Sequence, residues 1–401
     1  MRILHCIPSV DAAGGGPIES IFRLHAVSRP WGVEHEIVSL DHRDDPWVSA
    51  APIPIYALGD RRLNAEWWRA PANRYRYTAG YVDWLAQNLS RYDTVIVHGL
   101  WTYSSSGASQ VLPKVKTPYF LMPHGMMDPW FGKRYPHKHV VKQLLWFVAE
   151  GRLASKARSL LFTAETERAL AGQAFLGHRY REKVIKFGTA MPPAEAENER
   201  LVLEQLIPGL GPSPFIVFLG RIHEKKGCDI LIEAFARAIP ADNPLKLVIA
   251  GPSGGNLQGE LQRLAAQLGL ADRVFFPGPL FDTMKWAALR QAEAFALPSH
   301  QENFGIAVAE ALGCGTPVLI SNRVNIYREI QDSGGGLVAN DNISDFTDLL
   351  RQWLQLSPQE KMEFRHRALN TFKTHFDIEI TGHQFIDYLR HEVTASKAQR
   401  S

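Results

Sequence analysis

Cysteine is scarce in this chain: Cys6, Cys228 and Cys314 are the only three in 401 residues, far apart and in no C-x-x-C pair. That excludes a disulfide framework and a cysteine-held zinc, and makes a reduced, cytoplasmic protein the expectation. Long apolar runs are lacking as well. No stretch approaches the ~18 residues of a membrane-spanning helix. The opening Met1–Pro8 reads as a short buried strand rather than the longer apolar core of a signal peptide. Any membrane contact is therefore expected to be peripheral. Charge of one sign is also in short supply, since the net charge is only +3. With no aromatic-basic RNA motif, nucleic acid is not an expected partner. There is no D-x-D, no H-E-x-x-H and no cluster at metal-ligand spacing, so no metal or other cofactor is expected.

What is present is a chain of 401 residues, too long for one comfortable core, with 45% hydrophobic and 21% charged residues. Two domains of about 200 residues in a globular enzyme follow as the expectation. Short apolar runs alternate with helical patterns, the mark of βαβ units and parallel sheets. In the first half the strand candidates are Ile3–Ile7, Glu36–Leu40, Thr94–His98, Tyr119–Met122, Leu160–Thr163 and Val184–Phe187. Residues 188–213 turn polar and proline-rich and read as a linker. A second series follows at Phe215–Leu219, Leu247–Ala250, Val274–Phe276, Ala294–Leu297, Val318–Ile320 and Gly336–Val338. The fold class predicted is α/β, with two Rossmann-like doubly wound parallel-sheet domains facing a central cleft. Boundaries are expected at 1–195 and 196–375, with a last helix near Ile380–Val393 inside 376–401 and a frayed tail from Ala395.

The chemistry-bearing residues follow predicted strands, where such sheets bind ligands. Glu302-Asn303-Phe304-Gly305 precedes an apolar helix that carries Glu310 in its second turn. A buried carboxylate there needs a partner. Free backbone N–H groups at the helix start suit a phosphate. Two carboxylates flanking an anion site match a nucleotide sugar; alone, the pair also fits a cap and a surface residue. Gly220-Arg221-Ile222-His223-Glu224-Lys225-Lys226-Gly227 ends another strand. There Arg221 and Lys226 can reach a diphosphate, or form a solvated loop. Gly251 stands in a close-approach turn, and the segment through Pro279 and Leu280 offers backbone groups to a base edge.

In the first half, Gly14, Gly15 and Gly16 precede a helix and allow close approach to phosphates. They do not form G-x-G-x-x-G, which argues against a dinucleotide enzyme. His124, at a strand tip beside Gly125, suits a sugar hydroxyl or the reacting centre, and His98 has the same placement. Trp101, Asp128 and Trp130 are candidates for the acceptor. Residues 130–158 carry Lys133, Arg134, Lys138, Lys142, Arg152, Lys156 and Arg158 against Glu150 alone, with aromatics among them. Residues 61–77 repeat the mixture. Such segments suit an anionic membrane surface or a solvated helix face.

Together, Gly220-Arg221…Lys226-Gly227, Pro298-Ser299…Glu302-Asn303-Phe304-Gly305…Glu310 and Gly315-Thr316-Pro317 resemble family 4 of the retaining glycosyltransferases, with the GT-B fold. The resemblance implies a donor held mainly by the second domain and a C-terminal helix that crosses back to the first. It implies that Arg221 and Lys226 bind the donor diphosphate, that Glu302 contacts the sugar and that Glu310 holds the ribose. It puts the Gly14–Gly16 loop near the phosphates and His124 at the reaction centre. Pro123-His124-Gly125-Met126-Met127-Asp128-Pro129-Trp130 resembles members that build bacterial surface polysaccharides or lipopolysaccharide. The activity implied is metal-independent transfer from a UDP- or GDP-sugar to a glycan or lipid-linked hydroxyl, peripheral at the inner face of the plasma membrane. The alternatives are a sugar-nucleotide 2-epimerase of the same fold and a non-catalytic nucleotide-sugar-binding subunit.

Overall fold

The computed structural model describes residues 1–11, 16–60 and 75–398. Gly14 and Gly15 and most of the basic-aromatic segment 61–77 lie outside them. The chain forms two compact units, Met1–Gly188 with Ile378–Ser401, and Thr189–Asp377.

The first unit is built on seven parallel strands: β1 (Arg2–Ile7), β2 (Glu34–Ser39), β3 (Ile55–Ala57), β4 (Thr94–His98), β5 (Tyr119–Met122), β6 (Leu160–Phe162) and β7 (Glu182–Val184). Their order is β3-β2-β1-β4-β5-β6-β7. The inner strands read as continuous apolar runs because helices cover both faces of the sheet, leaving no alternation for solvent. One face packs Ile3, Ile96, Phe120 and Leu161 against Phe385, Ile386 and Leu389 of the last helix. That helix spans Ile378–Ala398. It is tied down further by Arg390 to the Trp31 carbonyl at 2.7 Å and by Lys397 to Asp93 at 3.1 Å. The expected frayed tail is therefore corrected, since the helix continues through Ala398 with Ser396 buried.

The second unit holds β8 (Phe215–Leu219), β9 (Lys246–Ala250), β10 (Val274–Gly278), β11 (Ala294–Leu297), β12 (Val318–Ser321) and β13 (Gly336–Ala339). All are parallel, in the order β10-β9-β8-β11-β12-β13. Here every strand falls where the sequence put one. In the first unit the sequence reading missed β3 and placed β7 two residues late. The expected linker 188–213 also needs correction, since it carries a helix, Glu199–Leu206, belonging to the second unit. Arg290 grips the Glu199 carboxylate at 2.6 Å and the Pro193 carbonyl at 2.8 Å, which fixes the proline-rich stretch to the domain.

Candidate active site

Each sheet reverses its strand order once. In the second unit β8 pairs with β9 on one side and β11 on the other. The chain leaves β8 toward one edge and returns at β11 toward the opposite edge. In open sheets of this kind the ligand crevice lies beyond the carboxyl ends of the strands at such a reversal.

The loop after β8 is held tightly. A Cβ at Gly251 would lie 1.8 Å from the Gly220 carbonyl oxygen, so Gly251 serves the contact between the tips of β8 and β9. Residues Glu224–Lys226 form one 3₁₀ turn, capped by His223, whose ring accepts from the Lys225 N–H. Gly227 ends the turn with φ 67°, and a Cβ there would meet the Pro298 carbonyl at 2.3 Å. The Lys225 carbonyl accepts from the Ser299 hydroxyl and the His300 N–H, each at 2.8 Å. These bonds join the loops after β8 and β11.

Across that junction Lys226 Nζ makes an ion pair with the Glu302 carboxylate. Burial alone pushes the Glu302 carboxyl up. The Lys226 and Lys225 charges, with hydrogen bonds from Lys226 and the Asn303 backbone, outweigh it and hold the group below its ordinary value. The Glu302 backbone is fixed to the next loop by the Arg323 carbonyl and the Asn325 N–H, each bond at 3.0 Å. Asn303 receives the Asn325 amide at 3.3 Å. Phe304 is buried edge-on against Phe376. Gly305, with φ 73°, opens the helix Ile306–Gly313, whose first N–H groups have no partner within the helix.

Glu310 is buried in that helix, and its carboxylate meets Lys285 Nζ at 2.9 Å. Lys285 belongs to the helix Asp282–Gln291 and lies over the Trp286 ring. No sequence signal singled it out. Arg221 is exposed, and Leu280 is buried beside an exposed Pro279. The structure thus brings Lys226 and Glu302 together and gives Glu310 its own lysine.

In the first unit the order reverses between β1 and β4. Gly16 is the first residue of the helix Gly16–Ser28. His98 ends β4, buried, and its Nδ1 lies 2.9 Å from His124 Nε2. His124 adopts φ 52° and Gly125 φ 74°, a left-handed turn beyond β5. Buried Glu167 holds that turn, accepting from the Gly125 N–H at 2.7 Å and from the Thr163 N–H at 2.7 Å. The sequence reading missed Glu167 because only the fold brings it to the turn.

Trp101 has φ 65°, a strained conformation for a bulky residue. Its N–H donates to buried Glu150 at 3.2 Å, and the Ser105 hydroxyl donates to the same oxygen at 2.9 Å. Burial pushes the Glu150 carboxyl up to about 7, against those two hydrogen bonds. Asp128 caps the helix Pro129–Arg134, accepting from the Trp130 N–H at 2.8 Å. Its carboxylate is occupied as a cap, which gives its place in the sequence a structural reason. Trp130 stacks edge-on against Phe131 and Tyr135.

Comparison with known proteins agrees with this layout. Residues 15–188 match the glycosyl transferase 4-like domain, and residues 208–370 match the glycosyl transferases group 1. A D-inositol 3-phosphate glycosyltransferase of Actinosynnema mirum is 37% identical over 159 residues, 37% of this chain and 38% of that protein. The chain thus spans well under two thirds of that curated relative. In fold, it resembles HepE of Anabaena, solved in complex with UDP and glucose, with a TM-score of 0.74 at 18% identity over 98% of this chain and 100% of that one. Sucrose-phosphate synthase of Thermosynechococcus elongatus gives 0.74 at 19% identity over 98% and 99%. With both of its domains matched and both sheets wound as in the GT-B fold, the chain belongs to family 4 of the glycosyltransferases.

Proposed function

We propose that this protein transfers a sugar, with retention and without a metal ion, from a UDP- or GDP-sugar to a hydroxyl of a glycan or lipid-linked acceptor. The observation that carries the reading is the Lys226–Glu302 pair, set where the sheet reverses between β8 and β11. A diphosphate entering that crevice takes Lys226 and exposed Arg221 as counter-charges. The N–H groups of Gly305–Ala307 face the same anion. Lys226 then exchanges part of its pairing with Glu302 for the phosphates, and Glu302 accepts from sugar hydroxyls. Glu310, held by Lys285, accepts from the ribose.

In this reading, the acceptor hydroxyl attacks C1 on the face from which the diphosphate departs. The C1–oxygen bond to phosphate breaks, and the leaving phosphate oxygen takes the hydroxyl proton. Fixed positive charge at that oxygen lowers the barrier, because the charges are in place before the reaction. Solved HepE with UDP supports a uridine donor.

The acceptor is read as a surface polysaccharide or lipopolysaccharide precursor, on the resemblance of the segment around His124. A peripheral membrane contact fits the segment after Pro136. Its exposed face carries Val140, Val141, Leu144, Phe147 and Val148, beside Lys133, Arg134 and Lys138. An apolar stripe with basic neighbours enters the interface of an anionic bilayer, whereas a solvated helix face is polar. No described helix is long and apolar enough to cross a membrane.

The test is release of nucleoside diphosphate from a panel of UDP- and GDP-sugars with glycan and lipid-linked acceptors, and the anomeric configuration of the product by NMR. Retained configuration supports the reading. Conversion of the donor alone to its 2-epimer would replace it with the epimerase.

A further inference from the structure

Four imidazoles cross the core of the first unit, one from each of four neighbouring strands or strand tips. His35 on β2 meets His5 on β1 at 2.8 Å, Nδ1 to Nε2. His5 Nδ1 meets His98 Nε2 at 2.9 Å, and His98 Nδ1 meets His124 Nε2 at 2.9 Å. At the far end His35 Nε2 lies 2.8 Å from the hydroxyl of Ser28, the last residue of the helix Gly16–Ser28. His5, His35 and His98 are buried, whereas His124, at the strand tips, is mostly buried with a part open to solvent. Nothing in the chemistry described so far uses His5, His35 or Ser28.

A row of neutral imidazoles has two polarities. Each ring carries one proton, so fixing one bond fixes all the others. The Ser28 hydroxyl decides between them. It lies 2.6 Å from the Leu24 carbonyl oxygen, which can only accept. The single Ser28 proton therefore goes to Leu24, and Ser28 must accept from His35 Nε2–H. His35 Nδ1 is then bare and accepts from His5 Nε2–H. His5 Nδ1 accepts from His98 Nε2–H, and His98 Nδ1 accepts from His124 Nε2–H. The opposite polarity would leave two oxygens 2.6 Å apart with no proton between them.

We propose that Ser28, His35, His5 and His98 are positioning residues. They fix His124 as the Nε2–H tautomer, so that its Nδ1 presents a lone pair to the reaction centre and accepts from a hydroxyl, not from a phosphate or carboxylate oxygen. This rests on the preceding reading only in placing His124 at the reacting sugar. The relay stays neutral because burial holds His5 and His98 well below the usual histidine range, His35 at about 3 and His124 at about 4. The Nδ1 of His124 has no partner among the described residues, which leaves it open to a ligand.

Long-range ¹⁵N–¹H NMR on the ¹⁵N-histidine-labelled protein, without ligand, reads each ring nitrogen as protonated or bare. The expected spectrum has His124 Nδ1 bare and Nε2 protonated, with the same tautomer in His98, His5 and His35. A protonated His124 Nδ1 overturns the proposal whether or not any sugar is transferred. In Ser28→Ala the polarity loses its anchor, and His124 is expected to show both tautomers. Its kcat for sugar transfer should fall roughly five- to tenfold, the worth of one hydrogen bond, with UDP affinity unchanged. Ser28→Thr keeps a hydroxyl for the Leu24 carbonyl and should restore both readings. An unchanged His124 spectrum in a folded Ser28→Ala protein also contradicts the relay. Should Ser28→Ala fail to fold, the wild-type spectrum still decides. Failure of every UDP- and GDP-sugar to bind would instead remove the functional reading, and the tautomer result would stand apart from it.

Discussion

Both units reverse strand order once, between β1 and β4 and between β8 and β11, yet the two places carry opposite chemistry. Beyond β8 and β11 stand charges: Lys226 with Glu302, Lys285 with Glu310, and Arg221 open to solvent. Across β2, β1 and β4 to the turn beyond β5 runs a row of neutral imidazoles, joined edge to edge and held by a serine and a carbonyl. One topology thus supplies two different tools. A lysine–carboxylate pair can be divided by an incoming diphosphate, because each partner finds a new counter-group. A row of imidazoles binds no net charge, and its contribution is direction. The difference teaches that the strand pattern locates a site, while the residues at the strand tips decide whether it grips charge or orients a hydroxyl.

Acid breaks the comparison on the histidine side most strongly. Below pH ~6.5 the unfolded chain takes up protons that the folded relay refuses, so stability falls as pH drops toward 4. Each refusing ring costs about 1.4 kcal/mol per pH unit. Thermal melts from pH 7 to pH 4 should show this fall, and His35→Gln should lessen its slope by one ring's share. A flat wild-type curve would mean that the imidazoles are not held neutral.

On the charged side, Lys226→Ala should lower transfer by about 10²-fold, the scale of losing one preorganised donor. Steady-state kinetics with a UDP-sugar read it directly, and near wild-type turnover would separate the ion pair from the chemistry.

A smaller effect sharpens the contrast inside the first unit. Glu150 has a carboxyl pushed up to about 7, and its Oε2 is buried without a partner. Between pH ~4.5 and 7 the folded chain holds a proton that the unfolded chain has lost, so this residue's contribution to stability declines as pH rises. Glu150→Gln should remove that decline and raise stability at pH 8 by on the order of 1 kcal/mol. An unchanged melting temperature at pH 8 would refute it.

Arg221→Ala should have the mildest consequence, because the side chain is exposed. A roughly tenfold fall in kcat/KM for the nucleotide sugar, with the melting temperature near wild type, fits a guanidinium that meets only the ligand.

Much of this was legible in the sequence. Apolar runs long enough to cross a covered sheet gave the strands of the second unit, and Glu302 and Lys226 stood out as charges just past strand ends. The need for a partner at Glu310 was legible as well, though not which partner. Lys285 becomes that partner only when the helix after β10 packs against the helix after β11. β3 escaped because Ile55-Tyr56-Ala57 is a short run of three part-buried residues next to prolines, and Glu182-Lys183-Val184 looks like a loop when read alone. His5 stands between apolar residues of β1 and His35 between two glutamates of β2, and nothing local says that they touch. Asp128 carried a readable signal, an acidic residue before a proline that starts a helix, which is a cap pattern.

The tips of β8 and β11 are proposed to grip a pyrophosphate joined to a sugar. Isothermal titration of the wild-type protein and of Lys226→Ala with UDP, GDP and their sugar conjugates tests it most directly. Binding of one nucleotide series by the wild type is expected, with a loss of at least tenfold in affinity in the variant, the scale of a charge-assisted contact. Equal affinity in both proteins, or no binding of either series, would contradict it.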